Sequence, residues 1–195
     1  MRIGITSRIM SASGYSEDRD ALAHDWGSFL SKALPQVPWM ALPNLGPEQI
    51  VPYCQSWAID RLILSGGDDI GATPLRDGTE TGLLSWAEQR RIPVLGVCRG
   101  MQLMAHLAGT RLVPVEGHVA TRHGLHGMRD DNVNSFHTLG LAECPAGYEI
   151  LARAEDGGIE AMRHLVLPWE AWMWHPERDA QPNPRDLEAI KRIFR

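Results

Sequence analysis

Ile92-Pro93-Val94-Leu95-Gly96-Val97-Cys98-Arg99-Gly100-Met101-Gln102-Leu103-Met104-Ala105-His106-Leu107-Ala108-Gly109 is two structural elements written without a gap. Up to Val97 the run is short, apolar and rich in β-branched side chains, as a strand buried on both faces requires. From Arg99 the apolar positions fall three and four apart, the spacing of a helix that Gly109 ends. Cys98 stands at the junction, with Gly96 and Gly100 two residues away on either side. Small flanking residues let the backbone turn sharply and hold the middle side chain outward, which is the form of a nucleophile elbow.

Outward from this unit the same rhythm repeats. Arg2 to Thr6 reads as a first strand, followed by a helix over about Glu17 to Leu34, in which Leu22, Trp26, Phe29, Leu30 and Ala33 recur at helical spacing until Pro35 and Pro38 stop it. A second strand at Trp39 to Leu42 leads into a helix opened by Pro47-Glu48, a proline and an acid suited to a first turn. Arg61-Leu62-Ile63-Leu64 is a short buried strand that runs into Ser65-Gly66-Gly67-Asp68-Asp69, and a further helix is predicted over about Thr79 to Arg90. Such alternation predicts an α/β fold with a mostly parallel central sheet flanked by helices. After Thr110 the pattern changes to shorter strands at Thr110 to Val115, Asn132 to Thr138, Glu149 to Ala154 and Gly158 to Arg163, read as a few added antiparallel strands. Glu170 to Trp174 is a last strand, and Pro184 to Phe194 a last helix.

The totals bound the function. With 195 residues and 44% hydrophobic content the chain can bury one sizeable core, so a single domain over residues 1–195 is expected. A net charge of -5 gives no reason to expect a nucleic-acid polymer as partner. The opening apolar run is too short for a signal-peptide core and no later run reaches bilayer length, so a cytoplasmic protein without membrane attachment is expected. Cys54, Cys98 and Cys144 are odd in number and widely spaced, which argues against a disulfide framework and a zinc ribbon.

Chemistry gathers beyond the carboxyl ends of strands in such sheets. There the helix after Cys98 presents its positive dipole end to the sulfur, which favours the thiolate, and the Arg99 N–H can form half of an oxyanion hole. Gly67, whose glycine pair lets backbone approach a substrate, supplies the other half. A thiol nucleophile needs a base, and His175 follows the apolar stretch Ala171-Trp172-Met173-Trp174. Glu177, two residues on, faces the same side in an extended chain and can orient the imidazole. His137, after Val133-Asn134-Ser135-Phe136, is the stronger of the remaining histidines as a substrate-side residue. His118, His123 and His126 have metal-like spacing, but neither cysteine nor a carboxylate set accompanies them in the sequence, so no metal is expected.

Three motifs together, Gly96-Val97-Cys98-Arg99-Gly100-Met101-Gln102, Leu64-Ser65-Gly66-Gly67-Asp68 and His175-Pro176-Glu177, resemble the class I glutamine amidotransferase superfamily, in particular its γ-glutamyl hydrolase branch. The resemblance runs in order along nearly the whole chain. It implies the flavodoxin-like amidotransferase fold, a Cys98-His175-Glu177 triad and oxyanion donors at Gly67 and Arg99. It further implies that Gln102 contacts a glutamyl group and that Asn134-Ser135-Phe136-His137 clamps the amino and carboxyl ends of that group with backbone. Met173 departs from the glutamine that many relatives carry two residues before the histidine. The implied reaction is hydrolysis of a γ-glutamyl amide-type bond through a γ-glutamyl thioester, with a small-molecule substrate and no cofactor. For the leaving group, Tyr15 to Trp26, including Ser16, Glu17, Arg19 and Asp20, is similar to small bacterial hydrolases of γ-glutamyl-CDP-amidate in capsule phosphoramidate synthesis. A γ-glutamyl-amine such as γ-glutamyl-GABA is the competing substrate. Two other readings stand beside these: a glutaminase subunit delivering ammonia to a synthase partner, and a non-catalytic binding protein of the same fold. A homodimer stays open.

Overall fold

The computed structural model describes residues 1–128 and 130–195. In chain order its elements are β1 (Ile3–Thr6), β2 (Arg8–Ser11), β3 (Asp18–Ala21), α1 (Asp25–Ala33), β4 (Trp39–Leu42), α2 (Pro47–Ser56), β5 (Arg61–Leu64), α3 (Pro74–Arg90), β6 (Val94–Val97) and α4 (Arg99–Leu107). They continue with β7 (Leu112–Pro114), β8 (Val119–Gly127), β9 (Asp131–Phe136), β10 (Leu139–Leu141), β11 (Tyr148–Ala154), β12 (Ile159–His164), β13 (Trp169–Trp172), a short 3-10 turn (Pro176–Arg178) and α5 (Pro184–Ile193).

Nine strands form one sheet in the order β4-β1-β5-β6-β13-β12-β11-β8-β9. The pairings from β4 to β13 are parallel, and those from β13 to β9 antiparallel. The expected α/β architecture is therefore present, with an antiparallel extension of four strands. Strand alternation divides the apolar side chains between two faces. Ile3, Ile5, Ile63, Leu95 and Val97 share a core with Trp26, Phe29 and Leu30 of α1 and Ile190 of α5, whereas Leu62, Leu64 and Val94 pack with Leu83 and Leu84 of α3 and Met101 of α4. Among the described residues no helix is long and apolar enough to cross a membrane.

Three expectations are corrected. The helix drawn from Glu17 begins only at Asp25, because Asp18 to Ala21 pairs with Ser11 to Arg8 as a two-stranded ribbon. Polar anchoring outweighs helical spacing there: Ser11 donates to Asp18 at 2.7 Å, and Asp20 accepts from the Asn44 N–H at 3.0 Å. Trp26 is a core residue, 1% exposed, and so is not available to a substrate. The helix placed from Thr79 starts at Pro74, since a proline at the first helical position loses no hydrogen bond. The strand β8, through which β9 joins the sheet, has no counterpart among the predicted strands; its polar sequence, from Val119 through Arg122 and His123 to Gly127, hides it.

Candidate active site

β5, β6 and β13 lie side by side and parallel, with Leu64 opposite Gly96 and Val97 opposite Trp172. Their carboxyl ends therefore deliver Ser65-Gly66-Gly67, Cys98 and His175 to one place. The Cys98 N–H donates to the Trp172 carbonyl at 2.7 Å, which pins the elbow to the strand carrying the histidine.

Cys98 adopts φ 50°, ψ -103°, a conformation that a non-glycine residue holds only when its surroundings enforce it. The surroundings do. A side chain at Gly96 would meet the Met104 sulfur at 2.6 Å, and one at Gly100 would strike the Leu64 carbonyl oxygen. With α4 thus pressed against β5 and β6, its first-turn N–H groups, Arg99 among them, begin at Cys98. Such donors have no partner within their own helix. Gly67, at φ 137°, leaves no room for a Cβ beside the Arg76 guanidinium and Arg8. Gly66, to which the motifs assign no role of its own, is equally constrained, since a Cβ there would run into the His175 ring.

His175 is nearly fully buried, and its Nδ1 lies 2.7 Å from Glu177 Oε1. A carboxylate cannot donate, so Nδ1 carries the hydrogen and the imidazole meets Cys98 through its other side. Burial works against charge on this ring, but the hydrogen bonds and negative charge of Cys98 and Glu177 outweigh it and raise the pKa from 6.5 to about 9. The arrangement can store a proton next to a sulfur nucleophile at neutral pH.

The Asn134 side chain has a task of its own, separate from the backbone clamp that the resemblance implies. Its amide accepts from the His175 N–H at 2.9 Å and donates to the His175 carbonyl at 2.8 Å, replacing a strand partner for the segment that carries His175. Phe136 sets its ring edge-on to His175 at 5.9 Å, with the Arg178 guanidinium 4.5 Å above the ring centre. The other two residues of that segment are engaged elsewhere. Ser135 donates to the His118 carbonyl at 2.8 Å, and His137 touches His118 and the Leu139 carbonyl, each at 3.1 Å. Gln102 donates to the same Leu139 carbonyl at 2.8 Å, and its amide nitrogen lies 4.0 Å from the sulfur of Met173. The His118-His123-His126 grouping does not persist. His126 is exposed, whereas His118 and His123 converge on Glu160, a carboxylate 37 residues beyond His123.

A charged layer under the site was invisible to motif reading. Arg76 Nε bonds Glu80 at 3.0 Å, and the same guanidinium donates to the carbonyls of Ser65 at 2.9 Å and Gly66 at 3.0 Å. Arg99 closes the layer by pairing with both Glu80 and Asp77. Burial lowers the Arg76 pKa while Glu80 partly restores it. The Arg99 side chain thus supports the turn at Gly66 through Glu80 and Arg76, while its backbone follows Cys98 directly.

The model of the family described as glutamine amidotransferase class-I matches residues 46–194, and the chain belongs to that family. The chain is 32% identical over 200 residues to a γ-glutamyl-CDP-amidate hydrolase of Campylobacter jejuni, covering all of this chain and 98% of that protein. It is also 32% identical over 158 residues to a glutamine-hydrolyzing GMP synthase subunit of Thermococcus kodakarensis, covering 71% of this chain and 81% of the other. A glutamine amidotransferase of known structure from Thermotoga maritima has the same fold, with a TM-score of 0.69 at 16% identity over 98% of this chain and 82% of its own.

Proposed function

We propose that the chain is a cysteine-dependent γ-glutamyl hydrolase whose substrate is a γ-glutamyl nucleotide amidate of the CDP-amidate type. The observation that carries the chemistry is the buried His175-Glu177 pair set against an elbow cysteine. In this reading the Cys98 sulfur attacks the γ-carbonyl carbon, and the N–H groups of Gly67 and Arg99 receive the charge that develops on the oxygen. His175 gives its proton to the departing nitrogen as the C–N bond breaks, leaving a γ-glutamyl thioester on Cys98. Water then attacks the thioester, His175 takes its proton, and glutamate leaves with the thiolate restored. No step needs a metal or redox cofactor.

The nucleotide part of the proposal rests on coverage. Likeness to the Campylobacter hydrolase extends over the whole chain, including the β2–β3 ribbon. That ribbon rises from the end of β1 beside the oxyanion turn, where Arg8 pairs with Asp68 at 2.5 Å. Arg19 lies over the Tyr15 ring on the same ribbon, and a cleft of about 360 Å³ runs between Arg19, Asn44 and Thr73. A second reading, a glutaminase serving a synthase, is favoured by the likeness to the Thermococcus GMP synthase component over 71% of the chain.

Glutamate release from γ-glutamyl-CDP-amidate, γ-glutamyl amines, γ-glutamyl peptides and glutamine by the isolated chain separates these readings. Turnover of the nucleotide amidate is expected, with hydrolysis abolished in Cys98→Ala and His175→Ala. Wild-type rates in either variant would overturn the mechanism, and glutamine turnover only with a synthase added would assign the second reading.

A further inference from the structure

Away from Cys98, three side chains of the antiparallel extension, His118, His123 and Glu160, bring donor atoms within 4.8 Å of one another, and His137 adjoins two of them. His118 precedes β8, His123 lies within it, His137 follows β9, and Glu160 stands on β12. His118 Nδ1 is 3.1 Å from His137 Nε2, and each approaches Glu160 Oε1, at 3.6 and 3.3 Å respectively. His123 Nε2 pairs with Glu160 Oε2 at 3.3 Å but outside good hydrogen-bond alignment, and neither buried atom has another partner, with Glu160 only 1% exposed.

The outer contacts decide the tautomers. His137 Nδ1 faces the Leu139 carbonyl at 3.1 Å, and a carbonyl can only accept, so Nδ1 carries the hydrogen and a neutral ring leaves a lone pair on Nε2. His118 Nε2 faces the Asp156 carboxylate at 2.9 Å, which likewise leaves the lone pair of a neutral ring on Nδ1. Two lone pairs thus meet at 3.1 Å, beside a buried carboxylate. Such a cluster of acceptors needs positive charge among them, supplied either by a proton that turns one ring into an imidazolium or by a metal cation at the centre. The edge of a tetrahedron of nitrogen and oxygen ligands around zinc, with bonds of roughly 2.0–2.1 Å, is about 3.3 Å. The separations among His118, His137 and Glu160 Oε1, 3.1 to 3.6 Å, and between His123 and Glu160 Oε2, 3.3 Å, have that size, and His118, His123 and Glu160 each offer a donor atom within 4.8 Å of the others.

We propose that His118, His123, His137 and Glu160 form a structural site for a zinc-type divalent ion, with Asp156 and the Leu139 carbonyl holding the two outer imidazole nitrogens. Three imidazoles and one carboxylate suit zinc rather than magnesium or calcium, which prefer oxygen. The outer carboxylate and carbonyl are the partners that orient metal-bound histidines. The site would fasten β8, β9 and β12 together. Through the Leu139 carbonyl, which also accepts from Gln102, it would tie that extension to the helix that carries the nucleophile. The ion takes no part in hydrolysis, so this site stands apart from the reading of Cys98.

The test is metal analysis of the untagged full chain, followed by chelator treatment and titration with Zn²⁺ alone. One ion per chain is expected, with a rise in Tm on rebinding and an X-ray absorption spectrum containing imidazole ligands. Glu160→Gln and His123→Gln should each weaken Zn²⁺ binding by about 100-fold or more, a floor taken from the effect of losing even an outer partner. Failure of the stripped wild type to bind, binding without imidazole ligation, or binding unchanged in both variants would overturn the proposal. Should a variant fail to fold, the wild-type stoichiometry and ligand spectrum decide the question.

Discussion

His175 is where protonation and catalysis meet. Its pKa, raised from 6.5 to about 9, means the folded state binds a proton that the unfolded chain releases near 6.5. The resulting stabilisation is complete below pH 6.5 and is lost as pH rises through about 9. The Tm advantage of wild type over His175→Gln should therefore shrink across that interval. The hydrogen bond to Cys98 is one of the contributors, so Cys98→Ala should titrate its His175 ring protons at lower pH, as NMR would follow. Equal titration in the two proteins would mean that sulfur and imidazole do not interact. Residues of the site differ in how readily their roles can be read. Cys98 announces itself through two flanking glycines, because the turn itself demands them. The side-chain role of Asn134 is not legible, since nothing local says that its amide will face a backbone segment 41 residues away.

At the scale of elements, helix α3 carries more of the site than its sequence suggests. Its Arg76 and Glu80 are an i,i+4 pair that would pass for a solvated helix face. Both are instead fully buried, because the guanidinium has to reach the carbonyls of Ser65 and Gly66 and the carboxylate has to meet Arg99. Spacing cannot distinguish these cases; only the packing of α3 over the ends of β5 and α4 does. The β2–β3 ribbon illustrates the same limit, as Leu22 and Trp26 continue a helical pattern while Asp18 and Asp20 are taken by Ser11 and Asn44. Removing one partner from a buried ionic network strands the others, at a cost of about 3–5 kcal/mol. Arg76→Ala should lose about that much stability in urea unfolding. Where the variant stays folded, kcat should fall more than KM rises, because the turn supplying Gly67 would no longer be anchored. An unchanged kcat would detach this layer from the site.

Across the whole molecule, the site draws on residues from Ser65 to Arg178, so its integrity depends on the parallel half of the sheet remaining seated. That half is legible in the sequence, because short runs such as Arg61 to Leu64 and Val94 to Val97 are too apolar to lie anywhere but inside. The antiparallel half is legible only in part, since β9, β11 and β12 show as apolar-containing runs whereas β8 between them in the sheet is too polar to stand out. Beside α1, the parallel half is seated on one face by α5, which the periodicity after Pro184 anticipates. Its apolar stripe places Ile190 in the core with Ile63, Leu95 and Trp172, and Phe194 follows it there. The Phe194 carbonyl also accepts from Arg61 Nε at 3.0 Å, so the last helix is tied to the strand that precedes the oxyanion turn. Phe194 is 1% exposed, and its truncation would leave a cavity against the sheet. Phe194→Ala should cost about 3–5 kcal/mol, a large share of a typical total of about 5–15 kcal/mol. Because the helix packs on the strands that deliver Cys98 and His175, activity and secondary structure should be lost together in a single transition on heating. A variant that kept wild-type Tm, or that lost activity well before its circular dichroism signal changed, would mean that α5 is not integral to the body holding the site.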